Sequence, residues 1–219
     1  MIEKIKSAIL QNASVTEDII HFEETPNYTG TIHLQALYKA ILTKQVLNMT
    51  YTPFREKTEQ YVFHPQLLKQ YNRRWFLIGF RGNIIEDYKQ LRALPLDRID
   101  KFEKNEEISH QYVPRETIIK LTEATVGVVP PWGEKAIVEE VIFKIDKSRA
   151  YYLVTKPLHA SQIIVEQDDK SITFALWVIV SRELVTNLLQ YGKEFTVIKP
   201  ESLRKELKEI LEAALEKHK

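Results

Sequence analysis

At 219 residues, with 44% hydrophobic and 28% charged residues, the chain has room for one large or two small domains and the composition of a soluble globular protein. The formal net charge of +1 at pH 7 argues against nucleic-acid binding over the whole surface, so any basic site must be local. The absence of cysteine excludes disulfides, thiolate metal sites and cysteine nucleophiles, and it fits a cytoplasmic protein. No apolar run reaches the ~20 residues that span a membrane.

The first half of the chain predicts two helices and then five short strands. Isoleucines at helical spacing predict an amphipathic helix in the first dozen residues (Ile2, Ile5, Ile9). An extended connector is expected over residues 22–32, and a second helix at about residues 33–45. The predicted strands cover residues 47–51, 60–63, 74–80, 88–94 and 97–102, and the second is expected to stop at His64-Pro65. Short strands without intervening helices favour a small barrel or a strongly bent sheet.

The second half alternates strands and helices after a connector. Residues 104–135 contain a predicted helical piece at 115–123 and then a cluster of Pro and Gly that marks a domain boundary. Strands are expected at residues 137–145, 161–167, 171–180 and 194–198. Asp146 and Ser181 are predicted N-caps of two helices between them, and a last helix covers residues 201–217. This order is the split β-α-β, ferredoxin-like pattern with an extra C-terminal helix.

Motifs for catalysis and metal binding are missing from the sequence. It contains no GxSxG elbow, P-loop, GxGxxG or HExxH, and no two of the six histidines lie at i, i+4 to each other. We therefore expect no enzyme activity, no metal site and no cofactor. Gly79-Phe80-Arg81-Gly82 has the GxxG spacing of a phosphate clamp, but a hairpin turn is the favoured interpretation.

Basic residues concentrate in the middle of the chain. Between residues 69 and 98 there are seven of them against three acids (Lys69, Arg73, Arg74, Arg81, Lys89, Arg92, Arg98). On adjacent strands, Arg74 and Arg92 can meet beside Tyr51 and the Trp75-Phe76 pair, where guanidinium groups bind phosphate and rings stack on planar groups. The alternative is a solvated strand face, with Arg98 paired to Asp97 or Asp100 and the aromatic residues in the core. Trp75 and Phe76 are adjacent, so they should point to opposite faces.

At these residues the sequence resembles the WYL-domain family. The triplet that names the family reads Trp75-Phe76-Leu77 here, His64-Pro65-Gln66-Leu67-Leu68 is similar to its His/Glu-Pro-x-x-Leu stretch, and residues 91–99 resemble its closing segment. Residues 157–162, 181–192 and 197–204 resemble the extension that often follows WYL domains. The resemblance covers about residues 20–217. The sequence departs from the pattern at Phe76, at Leu94 and at Tyr61, where many members have an arginine.

The resemblance implies an α+β chain with four parts. These are an N-terminal helix and linker (residues 1–33), a small Sm-like or SH3-type WYL β-barrel that senses a ligand (34–104), a connector (105–136) and a ferredoxin-like βαββαβ extension (137–219). Such proteins are mostly bacterial transcriptional regulators that commonly dimerise and sense a nucleic-acid or nucleotide-like ligand. The ligand-binding residues that the resemblance implies are Tyr51, His64, Arg74, Trp75, Arg92 and Arg98.

The same resemblance sets expectations about partners. Regulators of this family usually begin with a winged helix-turn-helix, and about 30 residues are too few for one. The chain is therefore either the C-terminal portion of a longer regulator, which we favour, or a natural stand-alone sensor. We expect that DNA is contacted only through a winged-helix domain outside it, and that no membrane is involved. The alternative is a protein-interaction and homodimerisation module that binds no small ligand. An enzyme is the third hypothesis, for which no site can be assembled.

Overall fold

The computed structural model describes residues 29–54, 56–86, 90–111, 113–128 and 137–219. The helix predicted for the first dozen residues and most of the extended connector lie outside this part of the chain. The described residues form an α+β structure with two antiparallel sheets and five α-helices. None of these helices combines the length and the hydropathy that a membrane span requires.

The first sheet has five strands and is preceded by a short helical segment. A 3₁₀ turn at Thr29–His33 leads into helix α1 (Leu34–Leu42), slightly shorter than predicted. The strands are β1 (Leu47–Tyr51), β2 (Glu59–Tyr71), β3 (Arg74–Arg81), β4 (Leu91–Pro95) and β5 (Ile99–Lys104). Their order is β4-β3-β2-β1-β5, and one 3₁₀ turn, Leu96–Arg98, joins the two edge strands. So short a connection requires a strongly bent sheet, although no ladder between β4 and β5 closes it within the described residues.

Strand β2 is longer than the sequence predicted. The prediction that it stops at His64-Pro65 was wrong, because the strand continues to Tyr71. Pro65 pairs with Gly79, and the register then shifts so that Leu67 pairs with Ile78. A proline, which has no N–H to donate, is tolerated at such a bulge. The added residues pair with β3 as far as Tyr71 and Arg74, and they bring Lys69 and Tyr71 into contact with residues later in the chain.

Both faces of the first sheet are covered by apolar side chains. Leu37 of α1 packs with Leu47, Phe63 and Leu77 on one face. On the other face, a second cluster includes residues of the connector and of helix α2, which spans Arg115–Glu123 as predicted (Ile78, Phe80, Leu91, Val113, Ile118). Trp75 packs against the first cluster and Phe76 against the second, which confirms that the two rings point to opposite faces.

The second sheet contains four strands in the order β7-β8-β6-β9, all with antiparallel neighbours. The elements are β6 (Val138–Asp146), α3 (Lys147–Thr155), β7 (Ile163–Gln167), β8 (Ser171–Ile179), α4 (Arg182–Leu189), β9 (Phe195–Lys199) and α5 (Glu201–Lys217). Its core is built around the stacked rings of Phe143 and Phe174, 5.6 Å apart. Ser181 caps α4 as predicted, because its Oγ accepts the Leu184 N–H, whereas Asp146 precedes α3 without a side-chain cap.

Candidate functional site

Two tyrosines and three arginines meet on one face of the first sheet. We call this group the tyrosine–arginine cluster (Tyr51, Tyr61, Arg81, Arg92, Arg98). Strand register explains why the sequence brings them together. Met49 pairs with Tyr61, and Phe63 pairs with Arg81, so alternation places these side chains on the same face as Tyr51. The Tyr51 and Tyr61 ring centroids are 6.4 Å apart.

Arg98 holds the hydroxyl of Tyr51. The guanidinium donates a hydrogen bond to this hydroxyl and lies 5.3 Å from the centroid of the Phe54 ring. Tyr51 is buried at the end of β1, and burial raises the pKa of its phenol, while the bond from Arg98 acts in the opposite direction. The phenol is therefore neutral at physiological pH, and Arg98 is engaged by a hydroxyl and a ring rather than by a carboxylate.

Arg81 covers the ring of Tyr61. The guanidinium carbon lies 4.2 Å from the ring centroid, and the same guanidinium pairs with Glu59 at 2.7 Å. Burial raises the pKa of Tyr61, and the nearby Arg81 partly opposes the shift. Tyr61 is the position at which the resemblance implied an arginine. The structure places the charge of Arg81 over that tyrosine, a contact between strands that no local sequence signal reveals.

Arg92 of β4 lies beside a glycine on the neighbouring strand. It pairs with Gly79 of β3, which pairs with Pro65 on its other side. A Cβ atom at Gly79 would lie 2.4 Å from the His64 carbonyl oxygen and 2.6 Å from Cε1 of Phe63, so only glycine allows this close packing. The Arg92 side chain is exposed, donates to the Leu91 carbonyl oxygen at 2.8 Å, and contributes positive charge near Tyr61.

Arg74, predicted to bind ligand, is engaged in an ion pair. Its Nε donates to Oδ1 of Asp97 at 2.8 Å and its Nη2 to Oδ2 at 2.6 Å. The two side chains are only 22% and 13% exposed. The interpretation that Asp97 or Asp100 pairs with Arg98 was wrong, since Asp97 binds Arg74 and Asp100 accepts from the Thr52 hydroxyl at 2.7 Å. The Arg74 pair fixes β3 to the turn that carries Arg98.

His64 and Trp75 are not members of the tyrosine–arginine cluster. His64 is fully buried, and its side chain lies on the opposite face from Tyr61 and Phe63 because the strand alternates. Its Nε2 donates to the Gly82 carbonyl oxygen at 3.1 Å, and burial lowers the pKa of the imidazole. The His110 ring lies 5.9 Å away. Trp75 is partly buried against the core beneath α1. Within the described residues, no three His, Asp or Glu side chains are grouped as metal ligands.

Comparison with known protein families assigns both halves of the chain. The WYL domain model matches residues 32–104, and the WCX domain model matches residues 138–215. Together the two matches cover more than half of the chain, in the order that the sequence resemblance implied. The chain belongs to the WYL-domain family, with a WYL domain followed by a WCX domain.

Two solved structures are similar to this chain. Proteasome accessory factor B/C (PafBC) of Arthrobacter aurescens matches 96% of this chain at 18% identity and a TM-score of 0.34, and this chain covers 29% of it. A structure described as a CRISPR Cas-related protein matches 86% of this chain at 9% identity and a TM-score of 0.50, and 52% of it is covered. The chain thus spans about half or less of the length of these proteins. No curated protein sequence matches it.

Proposed function

We propose that this chain is the effector-sensing and dimerising portion of a bacterial WYL-type transcriptional regulator. It binds an anionic ligand, either single-stranded nucleic acid or a nucleotide-like molecule, at the tyrosine–arginine cluster. The observation that carries the proposal is the grouping of Arg92 and Arg98 with two tyrosines on one sheet face. The role is regulatory and cytoplasmic, and no residue is assigned a catalytic function.

The chemistry of the cluster suits phosphate beside a planar group. Guanidinium groups bind phosphate oxygens through paired N–H donors, and bases stack on tyrosine rings. The carboxylates of Glu59 and Asp97 pair with Arg81 and Arg74, whereas Arg98 is held by a hydroxyl and a ring. A phosphate can replace these weaker contacts of Arg98 without leaving a carboxylate unpaired. Of the six residues predicted from the sequence, Tyr51, Arg92 and Arg98 are assigned to direct contact, and Arg74, Trp75 and His64 to support.

We also propose a specific fold for each of the two sheets. The order β4-β3-β2-β1-β5 with a single turn between the edge strands supports an Sm-like, SH3-type barrel that is partly open. The order β7-β8-β6-β9 with two intervening helices supports a ferredoxin-like extension. We place the boundaries at residues 34–104 and 137–219, joined by the connector 105–136. DNA contact is assigned to a winged-helix domain outside this sequence.

Binding of a fluorescein-labelled single-stranded oligonucleotide, followed by fluorescence anisotropy, tests the proposed site. Loss of a charge-assisted contact costs about 1.5–3 kcal/mol, so Arg98→Ala and Arg92→Ala should each weaken binding roughly tenfold or more. Lys101→Ala is the matched control. Lys101 is exposed in β5 and pairs with Thr50, whose side chain points to the opposite face from that of Tyr51. The control variant therefore removes one positive charge from the other face of the sheet.

Salt dependence separates a local site from general attraction. Each phosphate contact that is lost should flatten the slope of log Kd against log salt concentration by about 0.7 for a single strand. Arg98→Ala should show this change, and Lys101→Ala should keep the wild-type slope. If both arginine variants bind like wild type at every salt concentration, the cluster is not the binding site.

A second candidate function is homodimerisation without a small ligand. Leu203 and Leu207 of α5 are buried, but Ile210, Leu211 and Leu215 continue the apolar side of the helix into solvent. Light scattering of the wild type and of Leu211→Lys tests this function. A dimer that dissociates in the variant, together with no oligonucleotide binding by the wild type, would favour this second function over ligand sensing.

A further inference from the structure

The C-terminus of α2 receives hydrogen bonds from both halves of the molecule. Lys69 of β2 donates from Nζ to the Thr122 carbonyl oxygen at 2.7 Å. His159, which follows α3 in the second half, donates from Nε2 to the adjacent Glu123 carbonyl oxygen. The last carbonyls of a helix have no partner within the helix, and cationic donors are favoured there. We call this pair of contacts the α2 clamp.

The tautomer of His159 is fixed by its surroundings. The Ser161 N–H donates to Nδ1 of His159 at 3.1 Å, so Nδ1 carries no proton and Nε2 is the donor toward α2. The Ser161 hydroxyl oxygen accepts the Trp177 backbone N–H at 3.0 Å and lies 3.2 Å from the Trp177 backbone carbonyl oxygen. His159 is thereby oriented by β8 of the second sheet, and its side of the clamp belongs to the C-terminal domain.

The segment that follows α2 is attached to the same sheet. The Ile179 N–H donates to the Ala124 carbonyl oxygen at 2.7 Å, and the Ser181 hydroxyl donates to the Val126 carbonyl oxygen at 2.6 Å. Gly127 has a φ of +106°, and a Cβ there would lie 2.6 Å from Cγ of Glu183. These contacts hold the connector firmly on the C-terminal domain.

Lys69 supplies the corresponding contact from the first sheet. Partial burial lowers the pKa of its ammonium, and the nearby carboxylates of Glu123 and Glu183 act in the opposite direction. Glu183 lies in α4, so the charge of Lys69 is felt across the domain boundary. A second polar contact crosses there, from Nδ2 of Asn187 to the Tyr71 hydroxyl at 3.4 Å.

An open groove lies beside these polar contacts. A groove of about 1060 Å³ runs along the clamp between β2, α2 and the segment around His159. Ile118 packs the middle of α2 onto the first sheet, but the C-terminal end of the helix is held there by Lys69.

We propose that Lys69 is a positioning residue that fixes the orientation of the C-terminal domain relative to the first sheet. It acts through the C-terminus of α2, which His159 holds from the other side. β2 also carries Tyr61, eight residues earlier and roughly 26 Å away along the strand. A displacement of this strand therefore reaches the C-terminal domain directly. The positioning role requires no ligand.

Pulsed electron paramagnetic resonance on the full chain tests the role of Lys69. Because the sequence contains no cysteine, spin labels at Glu103→Cys and Gln167→Cys, both exposed, report one distance between the two sheets. Lys69→Met keeps the aliphatic stem but removes the donor, and it should broaden or split the single distance peak of the parent protein. Lys101→Met is the matched control and should leave the peak unchanged.

Variants of His159 test the other side of the clamp. His159→Ala should broaden the same peak, while His159→Gln, which retains an N–H donor, should restore much of its sharpness. Far-ultraviolet circular dichroism verifies that each variant is folded. If folded Lys69→Met gives the parent distance distribution, the proposal is wrong, whatever the distribution of His159→Ala. If Lys69→Met does not fold, a distribution for His159→Ala that is unchanged also overturns it, and a broadened one supports it.

Discussion

The ion pair between Arg74 and Asp97 allows a quantitative prediction about a residue that the sequence assigned to ligand binding. Arg74→Met keeps most of the side-chain volume but leaves the Asp97 carboxylate, which is only 13% exposed, without its cationic partner. Two charge-assisted hydrogen bonds of 2.8 and 2.6 Å are lost. Breaking a fully buried pair costs about 3–5 kcal/mol, and the remaining exposure reduces this to about 2–3 kcal/mol.

Urea unfolding measured through Trp75 fluorescence provides the assay. Trp132 and Trp177 are replaced by phenylalanine in the parent protein so that the signal reports the first domain. Arg81→Met is the matched control because Arg81 also pairs with a carboxylate, but the side chains of Arg81 and Glu59 are 44% and 38% exposed. An exposed pair contributes about 0–1 kcal/mol, so the control should be close to neutral.

A double variant separates the pair from packing. Adding Asp97→Asn to Arg74→Met should recover part of the lost stability, because the unpaired charge is then removed. Two results would contradict this prediction: Arg74→Met costs no more than Arg81→Met, or Asp97→Asn adds its full single-variant cost in the double variant. Either result would mean that Arg74 is not a structural residue.

Three further predictions concern other described residues. Gly79→Ala should destabilise the first domain by about 1–3 kcal/mol in urea unfolding, because the new methyl group meets the His64 carbonyl. Burial lowers the pKa of both His64 and His110. The free energy of unfolding should therefore fall as the pH drops below about 6.5, because the unfolded state takes up protons there before the folded state does. In His110→Gln, the melting temperature should fall less steeply with decreasing pH. Backbone N–H and hydroxyl donors lower the pKa of Asp168 to about 2. The stability that the Asp168 carboxylate contributes is therefore complete above pH 3.8 and is lost as the pH falls toward 2. Asp168→Asn should remove this part of the pH dependence of the melting temperature.

Controls for these predictions are available in the same chain. His218→Gln changes an exposed histidine and should leave the acid dependence of the melting temperature as it is in the wild type. Equal flattening in His218→Gln and His110→Gln would contradict the role of His64 and His110. Wild-type stability for Gly79→Ala would show that the strands separate at that point at little cost.

Elements whose pattern is local were predictable from the sequence. The bounds of α2 and α5 match their predictions, and the Ser181 cap forms because its hydroxyl and the Leu184 N–H are close in the chain. The opposite faces of Trp75 and Phe76 follow from strand alternation alone. These features depend on neighbours in sequence, which periodicity describes.

Features that depend on distant partners were not predictable. The course of β2 through Pro65 requires the bulge against β3, whose register the sequence of β2 does not contain. The choice of Arg74 rather than Arg98 as the partner of Asp97, and the stacking of Arg81 on Tyr61, depend on how strands pair across the sheet. The basic and aromatic composition of the site was therefore predictable, but the assignment of each arginine was not.

A nuclear magnetic resonance titration of the tyrosine rings tests whether the ligand binds at the tyrosine–arginine cluster. The chain is labelled with ¹³C at tyrosine ring positions, signals are assigned with Tyr51→Phe and Tyr61→Phe, and single-stranded oligonucleotide is added. A ligand at the tyrosine–arginine cluster should shift the Tyr51 and Tyr61 signals, while those of Tyr151 and Tyr152, exposed on α3, stay in place. Binding that shifts the α3 signals and leaves Tyr51 and Tyr61 unchanged would contradict the account.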